Sequence, residues 1–475
     1  MRKLFLFFIL CALSVNLQAK IVLAPVIGDN MVLQQQSEVA LWGTAEPDSK
    51  VTITVSWTKG KTVVQSDAEG KWFARVSTPK AGGPYEMTFS DGEKQTVSNV
   101  LIGEVWICAG QSNMRMPMAG FNGQPVNGSS EYIVSARADR QIRLCRVKEN
   151  RAFTPQTTCR VQWSVHCPEA VAQISAAAYF FARLLNESMD VPVGVIEAAW
   201  GGSPIEAWMD KELLAKEFAA DFDLSFYEKG VYDGKYQHHA PGVIYNGMLC
   251  PIMPYTAKGF LWYQGCANKN QPELYMRMQP AFAKMLRERW GNEDMPFYFA
   301  QIAPYGYSNK PDDPSAGIFM DAQARTLDLI PRSGMVATHD VGDRWTIHPP
   351  DKQTVGHRFA FLALTNDYGV KGIEANPPRL KSVKYYPEKA ELTFYVGRVG
   401  LNPNYKTISG FELAGEDKVF YPAKARISKD GQVVTVECPQ VPNPVAVRYG
   451  IRNYSQATVF NGSGIPISPF RTDNW

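Results

Sequence analysis

Residues 105–114 read Val105-Trp106-Ile107-Cys108-Ala109-Gly110-Gln111-Ser112-Asn113-Met114. Five apolar residues in succession, without alternation, describe a strand buried on both faces. The glycine-led polar turn after it carries Ser112 to the carboxyl end of that strand. Three similar runs follow: Val193-Gly194-Val195-Ile196, Phe260-Leu261-Trp262-Tyr263 and Phe297-Tyr298-Phe299-Ala300-Gln301-Ile302. Between them, Val171 to Met189 reads as a buried helix. Leu274 to Trp290 reads as an amphipathic helix with Arg277, Lys284, Arg287 and Arg289 on its polar side. Strands alternating with helices predict an α/β fold built on a parallel sheet flanked by helices.

The flanking sequence has a different texture. Val39-Ala40-Leu41-Trp42, Val51-Thr52-Ile53-Thr54-Val55 and Thr62-Val63-Val64 are short and β-branched, with turn residues about every ten positions. The pattern returns in Leu392-Thr393-Phe394-Tyr395-Val396 and Val433-Val434-Thr435-Val436. Sandwich-like β-domains are therefore expected over 20–100 and 376–475, around a central domain over 101–375.

Residues 1–19 are expected to be a cleavable signal peptide. Arg2 and Lys3 precede the apolar run Leu4 to Leu13, with a small residue, Ala19, at the cut. The run is too short to span a bilayer, which needs about 20 apolar residues. The protein is thus expected to be secreted or periplasmic, with no membrane span. Losing Arg2 and Lys3 takes 49 basic residues to 47, against 46 acidic. That near-neutral balance argues against nucleic acid as a partner. Export permits disulfides, and Cys145, Cys159 and Cys167 are the expected source of a local bridge.

Ligand sites in open parallel sheets lie beyond the carboxyl ends of the strands. Four loops there are rich in small and polar residues: Gly110 to Met114, Trp200-Gly201-Gly202-Ser203-Pro204-Ile205-Glu206, Gln264-Gly265-Cys266-Ala267-Asn268, and a later loop from His339 to Pro349. Ser112 is the candidate nucleophile and His348 the candidate base. The Ser112 N–H, the Gly202 N–H and the Asn268 amide are candidate donors to an oxyanion. Met114 stands where a Gly-x-Ser-x-Gly elbow would need its second glycine. Two other readings compete. One is a metal-dependent hydrolase using His339, Asp340, Asp343 and His348. The other is a carbohydrate-binding protein without catalysis.

These blocks, with Tyr245-Asn246-Gly247-Met248 and Ile347-His348-Pro349-x-x-Lys352-x-x-Val355-Gly356-x-Arg358, occur in order along the chain. Together they resemble the sialate O-acetylesterase family, within the SGNH-type serine esterases. The resemblance implies an SGNH-like sheet and hydrolysis of O-acetyl esters on sugars, foremost O-acetylated sialic acids, with acetylated xylan or mannan as the alternative. It implies Ser112 as nucleophile, His348 as base, Ser112, Gly202 and Asn268 as oxyanion hole, and no metal or other cofactor. Gln111, Asn113 and Gln264 are then expected to contact substrate. Such esterases commonly carry an aspartate three residues before the histidine, where this chain has Trp345. Asp343 or Asp340 in the same loop, or a backbone carbonyl, would orient the imidazole instead.

Overall fold

The computed structural model describes residues 21–310 and 312–475, so the expected signal segment lies outside the described residues. The spine of the fold is a single strand of 17 residues, Lys94–Gly110. Its first part pairs antiparallel with Gly82–Ser90 and parallel with Val32–Gln34. Its apolar second part lies between two parallel neighbours, Val193–Ala199 and Gly259–Tyr263. The change of texture near Val100 therefore falls inside one continuous strand.

Ile142–Val147 extends the sheet in parallel beyond Val193–Ala199, and Val161–Val165 closes that edge antiparallel. On the other side, Phe297–Ala300 and Ser333–Val336 add two more parallel strands. The α/β fold with a parallel sheet is as expected, and three of its strands, Ile142–Val147, Val161–Val165 and Ser333–Val336, are additions. The expected helix from Val171 is two helices, Pro168–Gln173 and Ala176–Met189. The break is at Ile174, which is extended. Ser175 then caps the second helix by accepting a hydrogen bond from the Ala178 N–H at 3.1 Å. The second predicted helix runs over Pro272–Trp290.

One hydrophobic cluster joins the N-terminal β-region to one face of the central sheet, and a second fills the opposite face. Trp106 is fully buried in the second, stacked on Tyr298 and edge-on to Phe181. The C-terminal part forms two four-stranded sheets over their own core, including Leu392, Leu413, Val434 and Val447. Cys145, Cys159 and Cys167 are all free, which corrects the expected bridge. Cys145 is buried within the sheet, whereas Cys167 sits at the N-cap of helix Pro168–Gln173. Among the described residues no helix is long and apolar enough to cross a membrane.

Candidate active site

Three strand ends converge on Ser112. Gly110 ends the long strand at φ 144°, and a Cβ there would lie 2.2 Å from the Tyr263 carbonyl oxygen, so only glycine fits. Its carbonyl accepts from the Trp200 N–H, and the Gln111 N–H donates to the Tyr263 carbonyl, both at 2.9 Å. Ser112 is thereby held between the second and third loops, half-buried, at the head of the short helix Ser112–Arg115. Beneath this helix, the buried Glu197 carboxylate accepts the Ser175 N–H at 2.7 Å and lies 3.7 Å from the Arg115 guanidinium. Burial pushes Glu197 up to about 7, against the opposing pull of Arg115 and Arg146.

The late loop is fastened to the serine turn by the neighbouring asparagine. The Asn113 amide donates to the Ile347 carbonyl at 3.0 Å and accepts from the buried Lys352 ammonium at 2.5 Å. Burial lowers Lys352 to about 7. His348 follows Ile347 directly. Gln124 Oε1 is 2.6 Å from its Nδ1 and accepts from the Thr346 hydroxyl at 3.3 Å. The Phe121 ring packs edge-on against the imidazole with centroids 5.1 Å apart. An acceptor at Nδ1 puts the proton of the neutral ring there and leaves Nε2 as the basic nitrogen. Burial, helped by the Lys352 charge, lowers His348 to about 4.

Gln124, the residue at the imidazole, was not among the sequence candidates, and neither aspartate occupies its position. Asp343 Oδ1 accepts from the Trp345 and Thr346 N–H groups at 2.6 and 3.1 Å, turning the loop. Asp340 forms a two-pronged pair with Arg358, both contacts at 2.7 Å. The expectation of Asp343 as the third member is corrected accordingly. A neutral amide fixes the tautomer as a carboxylate would, but it adds no charge to stabilise imidazolium. Gln124→Glu would supply that charge. It should raise the His348 pKa and move the acid limb of kcat/KM to higher pH, as a pH–rate profile would record.

The candidate oxyanion donors are available. Among the described residues, neither the Ser112 nor the Gly202 N–H donates to a protein acceptor. Gly202 has φ 74°, and a Cβ on Gly201 would lie 3.7 Å from Ser112 Cβ, so the glycine turn borders the serine. Asn268 Oδ1 accepts from the Ile205 N–H at 3.0 Å and from Gln264 Nε2 at 2.8 Å. Its Nδ2 donates one hydrogen to Glu206 at 2.9 Å, leaving a second to donate.

Gln111, Asn113 and Gln264, expected to contact substrate, are instead buried framework. Gln111 Oε1 accepts from the Gly265 and Ala267 N–H groups, both at 3.4 Å. Gln264 uses both amide hydrogens, on the Ser203 carbonyl and Asn268, and accepts from the Tyr275 hydroxyl. The four residues of the metal reading do not converge. His339 is buried and bonded to Ser455 and the Ile467 carbonyl, Asp340 serves Arg358, and His348 faces Gln124.

A half-buried serine beyond a parallel strand, beside unpaired N–H donors and a held imidazole, is the layout of an esterase on an α/β sheet. Comparison with known proteins agrees. Residues 102–365 match the family model described as carbohydrate esterase, sialic acid-specific acetylesterase. Human sialate O-acetylesterase is 29% identical over 420 residues, covering 80% of this chain and 76% of that protein. The Pongo abelii sialate O-acetylesterase is also 29% identical, over 421 residues, with the same coverage of both proteins. The crystal structure of a carbohydrate acetylesterase from Xanthomonas citri superposes with a TM-score of 0.86 at 31% identity, covering 96% of this chain and all of that one. The chain belongs to the sialic acid-specific acetylesterase family of carbohydrate esterases.

Proposed function

We propose that the protein hydrolyses O-acetyl esters of sugars through an acetyl-serine intermediate, with O-acetylated sialic acids as its substrates. The observation that carries this reading is the Asn113 bond to the Ile347 carbonyl, which fastens the loop bearing His348 to the turn bearing Ser112, with Gln124 held against the imidazole. Ser112 Oγ attacks the acetyl carbonyl while His348 Nε2 takes its proton. The oxyanion forms between the Ser112 and Gly202 N–H groups and the Asn268 amide. His348 returns the proton to the departing sugar hydroxyl, leaving acetyl-Ser112. Water, deprotonated by the same nitrogen, then releases acetate and restores the serine. The expected cleavage after Ala19 and export to the periplasm or the exterior accord with a substrate on extracellular glycans.

Trp345 supports a sugar as substrate. It is 85% exposed, only three residues before His348, and its backbone is held by the Asp343 turn. An exposed indole face suits stacking on the C–H face of a pyranose. Trp345→Ala should raise KM for an acetylated saccharide about tenfold, roughly 1.4 kcal/mol, while leaving 4-nitrophenyl acetate turnover nearly unchanged. Equal effects on both substrates would remove the stacking role. Acetate release from O-acetyl sialic acid and from acetylated xylan tests the substrate class. Reaction with xylan alone overturns the sialate reading.

A further inference from the structure

A second histidine borders the glycine turn, from outside the four loops. His238 lies in the short helical turn Gln237–His239. Its Nε2 is 3.2 Å from the Gly201 carbonyl oxygen. Its ring lies flat on Trp200, with centroids 4.8 Å apart and planes 4° from parallel. Trp200 is tied by its own N–H to the Gly110 carbonyl, two residues before the serine. A Cβ on Gly202 would lie 3.7 Å from His238 Nε2 and 3.6 Å from His239 Nε2, so both imidazoles border the turn.

The Gly201 carbonyl and the Gly202 N–H belong to one peptide unit. The cis bonds of the described chain are both at prolines, so this unit is trans, and its C=O and N–H point in opposite directions. Whatever grips the carbonyl on one side therefore aims the N–H on the other. A Gly–Gly peptide has the least intrinsic rigidity of any pair, and rotation of this unit would carry the donor away from the oxyanion. A hydrogen bond to the carbonyl also polarises the N–H and strengthens its donation.

We infer that His238 is a positioning residue for the oxyanion hole. Braced on Trp200, it donates Nε2–H to the Gly201 carbonyl and so holds the Gly202 N–H towards the reacting acetyl carbonyl. This rests on the proposed roles of Ser112 and Gly202. The role belongs to the transition state, so the effect should fall on kcat and spare KM. Outright loss of an oxyanion donor costs roughly 10²–10³-fold in kcat, and a misaimed donor should cost less.

The test compares His238→Leu and His238→Gln with the wild-type enzyme on 4-nitrophenyl acetate, with thermal melting as a check on folding. The leucine variant should lose about 10- to 100-fold in kcat, with KM changed by less than about twofold. The glutamine variant, whose amide can still donate to the carbonyl, should recover most of that loss. Phosphonylation of Ser112 by a fluorophosphonate should slow in the same order, since its phosphoryl oxygen uses the same donors. A leucine variant with normal kcat, a loss confined to KM, or no recovery with glutamine would each overturn the inference. Ser112→Ala, assayed alongside, separates the two levels. If it is inactive while His238→Leu is unimpaired, only the inference fails. If it remains active, the serine reading falls and the inference with it.

Discussion

Ser112→Ala is expected to lower kcat/KM for acetyl-ester hydrolysis by roughly four to six orders of magnitude, with no more than about 0.5 kcal/mol change in stability. The reason lies in what surrounds the side chain. The turn is held by backbone bonds of Gly110 and Gln111 to the strand ends on either side, and by the Asn113 side chain to the late loop. None of these needs the hydroxyl. Removing it deletes the proposed nucleophile and leaves the scaffold, so melting temperature and activity should separate cleanly. A loss of less than about tenfold would mean another group attacks the ester.

His348→Ala should cost roughly three to five orders of magnitude, because in the proposed mechanism the same nitrogen serves both acylation and deacylation. The wild-type pH profile should carry the signature of this residue. His348 is lowered to about 4 by burial and by the Lys352 charge. The neutral ring is the active base, so kcat/KM should be maintained as pH falls through 6.5 and decline only as it approaches about 4. An acid limb centred near 6.5 would mean that the working base is a solvent-exposed histidine. Among the described residues an amide, not a carboxylate, meets Nδ1. Gln124 accepts at Nδ1 without adding charge that would raise the basicity of the ring, which suits expulsion of a sugar alkoxide better than expulsion of an amide nitrogen.

The parts of the fold legible in the sequence were those where burial and composition agree. Val105 to Ala109 and Phe260 to Tyr263 are uniformly apolar and fully buried. Ile142–Val147 escaped because Arg143 and Arg146 break its apolar pattern. Yet Arg146 pairs with Glu149 at 3.2 Å, and Arg143 is buried in the sheet. Ser333–Val336 is only four residues long, too short to carry a period. In the site, Ser112, His348, Gly202 and Asn268 stand in ordered blocks. Gln124 does not. It is one glutamine in the glycine-bearing loop Phe121-Asn122-Gly123-Gln124, 224 positions from the histidine it orients. Asp343 was the natural expectation because it is near in sequence. Its carboxylate instead accepts N–H groups two and three residues on, a bond that proximity along the chain makes easy.

Every other proposed role depends on Ser112 being the group that attacks the ester. Stoichiometric inactivation with a fluorophosphonate, followed by peptide mass spectrometry, tests it directly. One phosphonyl group per chain is expected on Ser112, with activity lost in proportion to labelling. Complete inactivation with the label on another residue, or full labelling of Ser112 with activity retained, would contradict it.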